Sequence, residues 1–226
     1  MAWHRIPRLF ALVSAGLLAG CASPNTGPRG LPGAGRRMHV EVPDRAEDVV
    51  PIPVGAALPR LLLHTPEGDR FRVRRDTGKK PLLLIFYRGG WCPYCNRHLA
   101  DLQGAEKRFV KLGVQILAIS PDRPGKLKHT ATKHKVGYRL LSDSGMGAAR
   151  KLGLAFRLDD ATVAKYRRSY KIDIEADSGY KHHQLPVPAA ILVDRRGIVR
   201  FVHTDPDYKN RIDTRTLLDL ARQIAG

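Results

Sequence analysis

The residues best placed to do chemistry are Cys92 and Cys95, three positions apart in the stretch LLLIFYRGGWCPYCNRHLADL. Two thiols at this spacing can be a redox pair, half of a metal site, or a structural disulfide. A structural bridge explains little, because closing so short a loop removes little entropy from the unfolded chain. Covalent haem attachment needs a His directly after the second Cys, where Asn96 stands. A structural zinc site wants four ligands. Two of His98, His129 and His134 would have to supply the rest. A copper carrier using Cys92, Cys95 and one of His182, His183 or His203 is the other metal reading. The redox pair is the strongest of the three, and the local sequence says why.

The run PLLLIFY, 81–87, is continuous and apolar, which suits a strand buried on both faces. From Pro93 to about Leu112 the apolar positions Cys95, Leu99, Leu102, Phe109 and Leu112 recur at helical spacing, and Gly113 stops the pattern. Cys92 therefore falls where a strand ends and a helix begins. The first N–H groups of a helix are unpaired and its dipole end is positive, so a thiolate there is stabilised. Arg88 and Arg97 lie close enough in sequence to add to this. The thiolate is the attacking species in thiol chemistry, so a lowered pKa raises the reactive fraction of Cys92. Pro93 suits the first helical position, which needs no N–H partner. Cys95, one turn further in on the buried side, is placed to attack a sulfenic acid or mixed disulfide on Cys92.

The remaining elements must hold that junction. PRLLLHTPEGDRFRV reads as a hairpin turning at Pro66–Asp69, VQILAIS as a second buried strand, and YRLLSD as a third. GKLKHTATKHKV and SGMGAARKLGL read as short helices, 159–171 as a further helix, and 172–186 as a loop. AAILVD and IVRFVH form a hairpin about Arg195–Gly197, and Thr214 caps a last helix with Leu217, Leu220, Ala221 and Ile224 on one face. Strands alternating with helices and closing on a hairpin predict an α/β domain. It has a mixed central sheet with helices on both faces, preceded by an N-terminal β-hairpin extension.

At these residues the chain resembles the thioredoxin superfamily. It is more narrowly similar to its peroxiredoxin-like group, the alkyl hydroperoxide reductase and thiol-specific antioxidant family. FYRGGWCPYCNRHL resembles that group's active-site segment, and LPVPAAILVDRRGIVRFVHTDPDY, 185–208, its second anchor. The resemblance implies a thioredoxin-like fold and a peroxide-reducing Cys92/Cys95 dithiol cycle. It also implies active-site support from Arg88, Gly89, Trp91 and Pro93, and a cis Pro188 beside the sulfurs. Two departures stand out. The Pro and Thr that typical members carry seven and three residues before the reactive Cys are Ile85 and Gly89 here. No Arg stands just before the Pro188 strand, where many members place one. The Pro-Tyr pair between the cysteines is also that of glutaredoxins, so a protein disulfide is the alternative substrate to a peroxide. A non-catalytic copper or zinc carrier is the third reading. The enzyme readings need no cofactor, but they need an external, thioredoxin-like dithiol to restore the thiols.

Ahead of the domain, MAWHRIPR supplies a basic start and LFALVSAGLL an apolar core too short to span a bilayer, which together predict an export signal over 1–20. LAGC, 18–21, resembles the lipobox of bacterial lipoproteins. That resemblance implies a lipid on Cys21 and a membrane-tethered protein on the periplasmic side of the envelope, with the outer membrane favoured. The periplasm permits disulfides. Residues 21–53, rich in Pro and Gly, read as a tether, and 54–226 as the domain. The formal charge of +18 is scattered among acids, with no aromatic interleaving or recognition-helix pattern. That argues against nucleic acid and suits anionic lipid head groups or plain solvation.

Overall fold

The computed structural model describes residues 41–225. The segment read as an export signal, residues 1–20, and Cys21 lie outside them. A 3-10 turn at Ala46–Asp48 precedes the strands β1 (Leu62–His64) and β2 (Arg70–Arg72), followed directly by a short helix, α1 (Val73–Asp76). β3 (Leu82–Phe86), α2 (Pro93–Lys111), β4 (Gln115–Ser120), α3 (Pro124–His134) and β5 (Arg139–Ser142) form the centre. Then come α4 (Gly147–Lys151), β6 (Ala155–Arg157), α5 (Asp160–Tyr170), α6 (Ile174–Ser178) and β7 (Gln184–Pro186). The chain ends in β8 (Ala189–Val193), β9 (Val199–Thr204) and α7 (Thr214–Ala225).

Among the described residues the main sheet has seven strands in the order β2-β1-β5-β4-β3-β8-β9. β3 runs parallel to β4 and β4 to β5, whereas β8 pairs antiparallel with β3 and β9 with β8. This is the mixed, helix-flanked sheet of a thioredoxin-like fold, with the expected hairpin at its edge: Leu63 pairs with Phe71 across β1 and β2. The apolar run of β3 is continuous because both faces of the sheet are covered. Leu82, Leu84 and Phe86 enter one core, while Leu83, Ile85 and Tyr87 enter the other. Cys92 and Cys95 belong to the second core, together with Leu99, Leu102 and Phe109 of α2 and Leu217, Leu218 and Ala221 of α7.

Four features differ from the sequence reading. Residues 172–186 carry α6 and β7, and β7 pairs with β6 to form a separate two-stranded sheet. Three-residue strands leave too short a pattern to recognise. Leu158, Val163, Ile174 and Leu185 give this insertion a small core of its own, against which Trp91 packs. The cap of α7 is Asp213, whose carboxylate accepts from the Thr216 N–H at 2.9 Å, rather than Thr214. The bond before Pro188 is trans, as are all others among the described residues. The chain before β8 is held by the pairing of β7 with β6 and by the Val187 N–H, which donates to the Leu154 carbonyl at 2.8 Å.

Finally, residues 41–53, counted with the tether on composition, pack along the domain. The Ile52 N–H donates to the Leu152 carbonyl at 2.9 Å and the Arg157 N–H to the Pro43 carbonyl at 2.8 Å. Val42 and Ile52 lie against the first core. A Cβ on Gly153 would sit 2.8 Å from the carbonyl carbon of Val50.

Candidate active site

Cys92 is the N-cap of α2 and Pro93 its first residue. The Cys92 backbone is extended, and its sulfur, like a capping oxygen, accepts the Cys95 N–H at 3.4 Å. The Cys95 thiol also donates to that sulfur, and this is the largest influence on it. With the backbone N–H and the charges of Arg88 and then Arg211, it outweighs burial and holds the Cys92 thiol down at about 6. Cys95 goes the other way. Burial, its hydrogen bond to Cys92 and the charge building there push its thiol well above the ordinary value. Both thiols are free, and each residue is only 1% exposed. The pair therefore divides into a low-pKa thiol and a protonated partner beside it.

Arg88 is a buried cation, 4% exposed. Its Nη2 donates to the Tyr166 hydroxyl, and its guanidinium lies 4.0 Å from the ring centroid of Tyr208, 5.1 Å from Trp91 and 5.7 Å from Tyr166. Its Nε has no partner. Aromatic faces, not a carboxylate, surround this charge, so its field is left for the Cys92 sulfur. These groups line a cleft of about 650 Å³ with Cys92, Pro93 and Tyr94, flanked by Tyr170, Lys165 and Lys171.

Gly89 is required by conformation and by space. Its φ is +145°, and a Cβ there would lie 2.9 Å from Trp91 Cδ1, nearer still to Nε1, and 3.0 Å from Asp122 Oδ1. The indole of Trp91 thus occupies the volume a side chain at 89 would need. The next residue is tied from behind: the Gly90 N–H donates to Asp122 Oδ2 at 2.8 Å, and the Gly90 carbonyl accepts from Asn96 Nδ2 at the same distance. Asp122 is buried, accepts from Ser120 Oγ at 2.9 Å, and is pushed up to about 6 by that burial.

Of the residues singled out on sequence, Cys92, Cys95, Arg88, Gly89, Trp91 and Pro93 gather at the end of β3 and the start of α2. Pro188 is buried one residue before β8, next to the Phe86–Ala189 pair, and does not line the cleft. Arg97 is exposed and lines a different hollow. The second cation near the thiols is Arg211 instead, with Nη2 3.5 Å from Cys95 Sγ. Arg211, Tyr208, Tyr166 and Asp122 were missed. Each comes from a distant segment, and DPDYKNR reads as an ordinary polar turn. His182 and His183 do not converge on the cysteines: His182 bonds the Ser144 carbonyl and His183 bonds Asp160 and Glu175. Among the described residues no three His, Cys, Asp or Glu side chains gather to hold a metal.

Comparison with known proteins agrees with this geometry. The model of the AhpC/TSA family matches residues 54–202. Among curated proteins, the chloroplastic peroxiredoxin Q of Gentiana triflora is 29% identical over 100 residues, 44% of this chain and 46% of that protein. The putative peroxiredoxin bcp of Haemophilus influenzae is 30% identical over 104 residues, 46% of this chain and 66% of that protein. The chain thus spans about half to two thirds of the length of the curated relatives it matches. Among solved structures, peroxidoxin BcpB of Mycobacterium tuberculosis superposes with a TM-score of 0.58 at 19% identity, over 76% of this chain and 97% of that one, a likeness of fold. With the family match running from ahead of the hairpin into β9, across the thiol junction, the chain belongs to the AhpC/TSA family.

Proposed function

We propose that this protein is a thiol peroxidase working through a Cys92/Cys95 dithiol–disulfide cycle. The Cys92 thiolate attacks the O–O bond of a peroxide, releases the alcohol or water, and becomes a sulfenic acid. Cys95 condenses with it, expelling water and leaving a disulfide. An external, thioredoxin-like dithiol then reduces that disulfide. The observation that carries this reading is the asymmetry of the pair: a buried sulfur held at about 6 in the lining of a cleft, with a protonated thiol beside it. Membership of the AhpC/TSA family supports it.

A second reading, reduction or exchange of protein disulfides by the same two sulfurs, draws on Gly89. A peroxide-holding hydroxyl has no room there, because Trp91 fills the space. A metal carrier has no third ligand beside the cysteines among the described residues.

Stopped-flow mixing of the reduced protein with hydrogen peroxide and with an organic hydroperoxide separates the two enzyme readings. The peroxidase oxidises Cys92 far faster than free cysteine reacts, and Cys95→Ser traps a sulfenic acid. Oxidation no faster than free cysteine, with Cys95→Ser trapping mixed disulfides with proteins instead, would transfer the function to the second reading. We further propose, from the leader and the LAGC box, that Cys21 is lipidated and tethers the domain on the periplasmic side of a bacterial envelope.

A further inference from the structure

Cys95 is met by a cation from the far end of the chain. Arg211 stands in the loop between β9 and α7, beyond the segment matched by the family model. Its Nη2 lies 3.5 Å from Cys95 Sγ and its Nη1 donates to the Asn210 carbonyl at 2.6 Å. The loop is braced from within: Asn210 Nδ2 donates to Asp205 Oδ2 at 2.9 Å and the Asp207 N–H to Asp205 Oδ1 at 2.8 Å. Asp213, the acid closest in sequence, spends both oxygens on Thr216. His98, beside Arg211, is held down at about 4 by burial, by Arg211 and by His203, so it stays neutral and does not compete for the sulfur. The same loop sets Tyr208 over Arg88. One segment therefore reaches both thiols, Cys92 through Arg88 and Cys95 directly.

We propose that Arg211 is a catalytic residue of the resolving step, its guanidinium stabilising the Cys95 thiolate as that sulfur attacks Cys92. The proposal rests on the redox-pair reading, but not on which substrate oxidises Cys92. In the step, Cys95 loses its proton and its sulfur attacks the Cys92 sulfenic sulfur. An S–S bond forms and the S–O bond breaks. The departing hydroxide takes up a proton, so the net loss is one water and no further oxidant is needed. A buried thiolate is costly without a counter-charge. Arg211 supplies one at hydrogen-bond distance from the reacting atom, where a charge-assisted contact is strongest.

The test isolates Cys95 from peroxide chemistry. Reduced protein is mixed with an aromatic disulfide reagent whose released thiolate is coloured. Cys92 attacks first and releases one equivalent. Cys95 then displaces the mixed disulfide and releases the second. Losing the cation lowers the thiolate fraction of Cys95, but a more basic sulfur is a better nucleophile, so a tenfold loss of thiolate slows attack about threefold. Arg211→Ala and Arg211→Gln are therefore expected to slow the second release at least about threefold more than the first, which feels Arg211 only through its smaller charge effect on Cys92. Arg211→Lys is expected to recover part of the rate. A second release as fast as wild type in a folded Arg211→Gln protein overturns the proposal, as does equal slowing of both releases. Failure of wild type to reduce peroxide would remove the peroxidase reading alone and leave this comparison intact.

Discussion

At the residue scale, the decisive quantity is the charge on the Cys92 sulfur. Its folded pKa of about 6 is depressed below the free-thiol value of about 8.5. Ionised Cys92 therefore adds stability that is fully present above about pH 8.5 and lost as pH falls through about 6. Asp122 runs the opposite way, since burial raises it to about 6. Its contribution is present below about pH 4 and gone above about 6, so the two windows do not overlap. Thiolate absorbance of the reduced protein is expected to rise with a midpoint near pH 6, and Cys92→Ser should abolish that transition. The same variant should flatten the increase in urea-unfolding free energy between pH 6 and 8.5. A midpoint at or above about 8.5 would show that the helix end, Cys95 and Arg88 together do nothing for this sulfur.

At the scale of elements, the site is a strand end, a glycine pair and a helix start, locked by an insertion on one side and a loop on the other. Trp91 joins them, packing on the insertion's small core while filling the space over Gly89. Gly89→Thr, which restores the residue typical of the family, is accordingly expected to lower stability by about 2 kcal/mol or more, from a positive φ and the displaced indole. It should bring no gain in peroxide rate. Urea titration and stopped-flow kinetics of the same preparation check both halves. The strand–helix junction, the helix stripe through Phe109 and the N-cap role of Cys92 were legible in the sequence because each is local and periodic. Arg211 was not, since it meets Cys95 across 116 residues and nothing in DPDYKNR marks it. β6 and β7 were not, since each is three residues long and exists through the other. Nor was the trans bond at Pro188, since an X–Pro sequence accepts either isomer at little cost.

At the scale of the molecule, the folded part reaches back at least to Val42, because Val42 and Ile52 pack on the core opposite the thiols and Pro43 and Ile52 bond Arg157 and Leu152. Any tether to a membrane is then confined to the residues between Cys21 and that strap. A bacterial host fed labelled palmitate should label the wild-type chain in its membrane fraction, whereas Cys21→Ala should be unlabelled and released from the membrane. An unlabelled wild type would refute the anchor and leave the thiol chemistry as it stands. One last consequence belongs to the sulfur that closes α2. In the reduced protein Cys92 is at once the reagent and the cap on its helix, and oxidation to a disulfide replaces a charged acceptor by a far weaker one. A stabilised thiolate shifts the couple toward the dithiol, as in other proteins whose reduced form is the more stable. In the proposed cycle the helix therefore biases the couple toward the dithiol, because reduction restores the charged cap on its first turn.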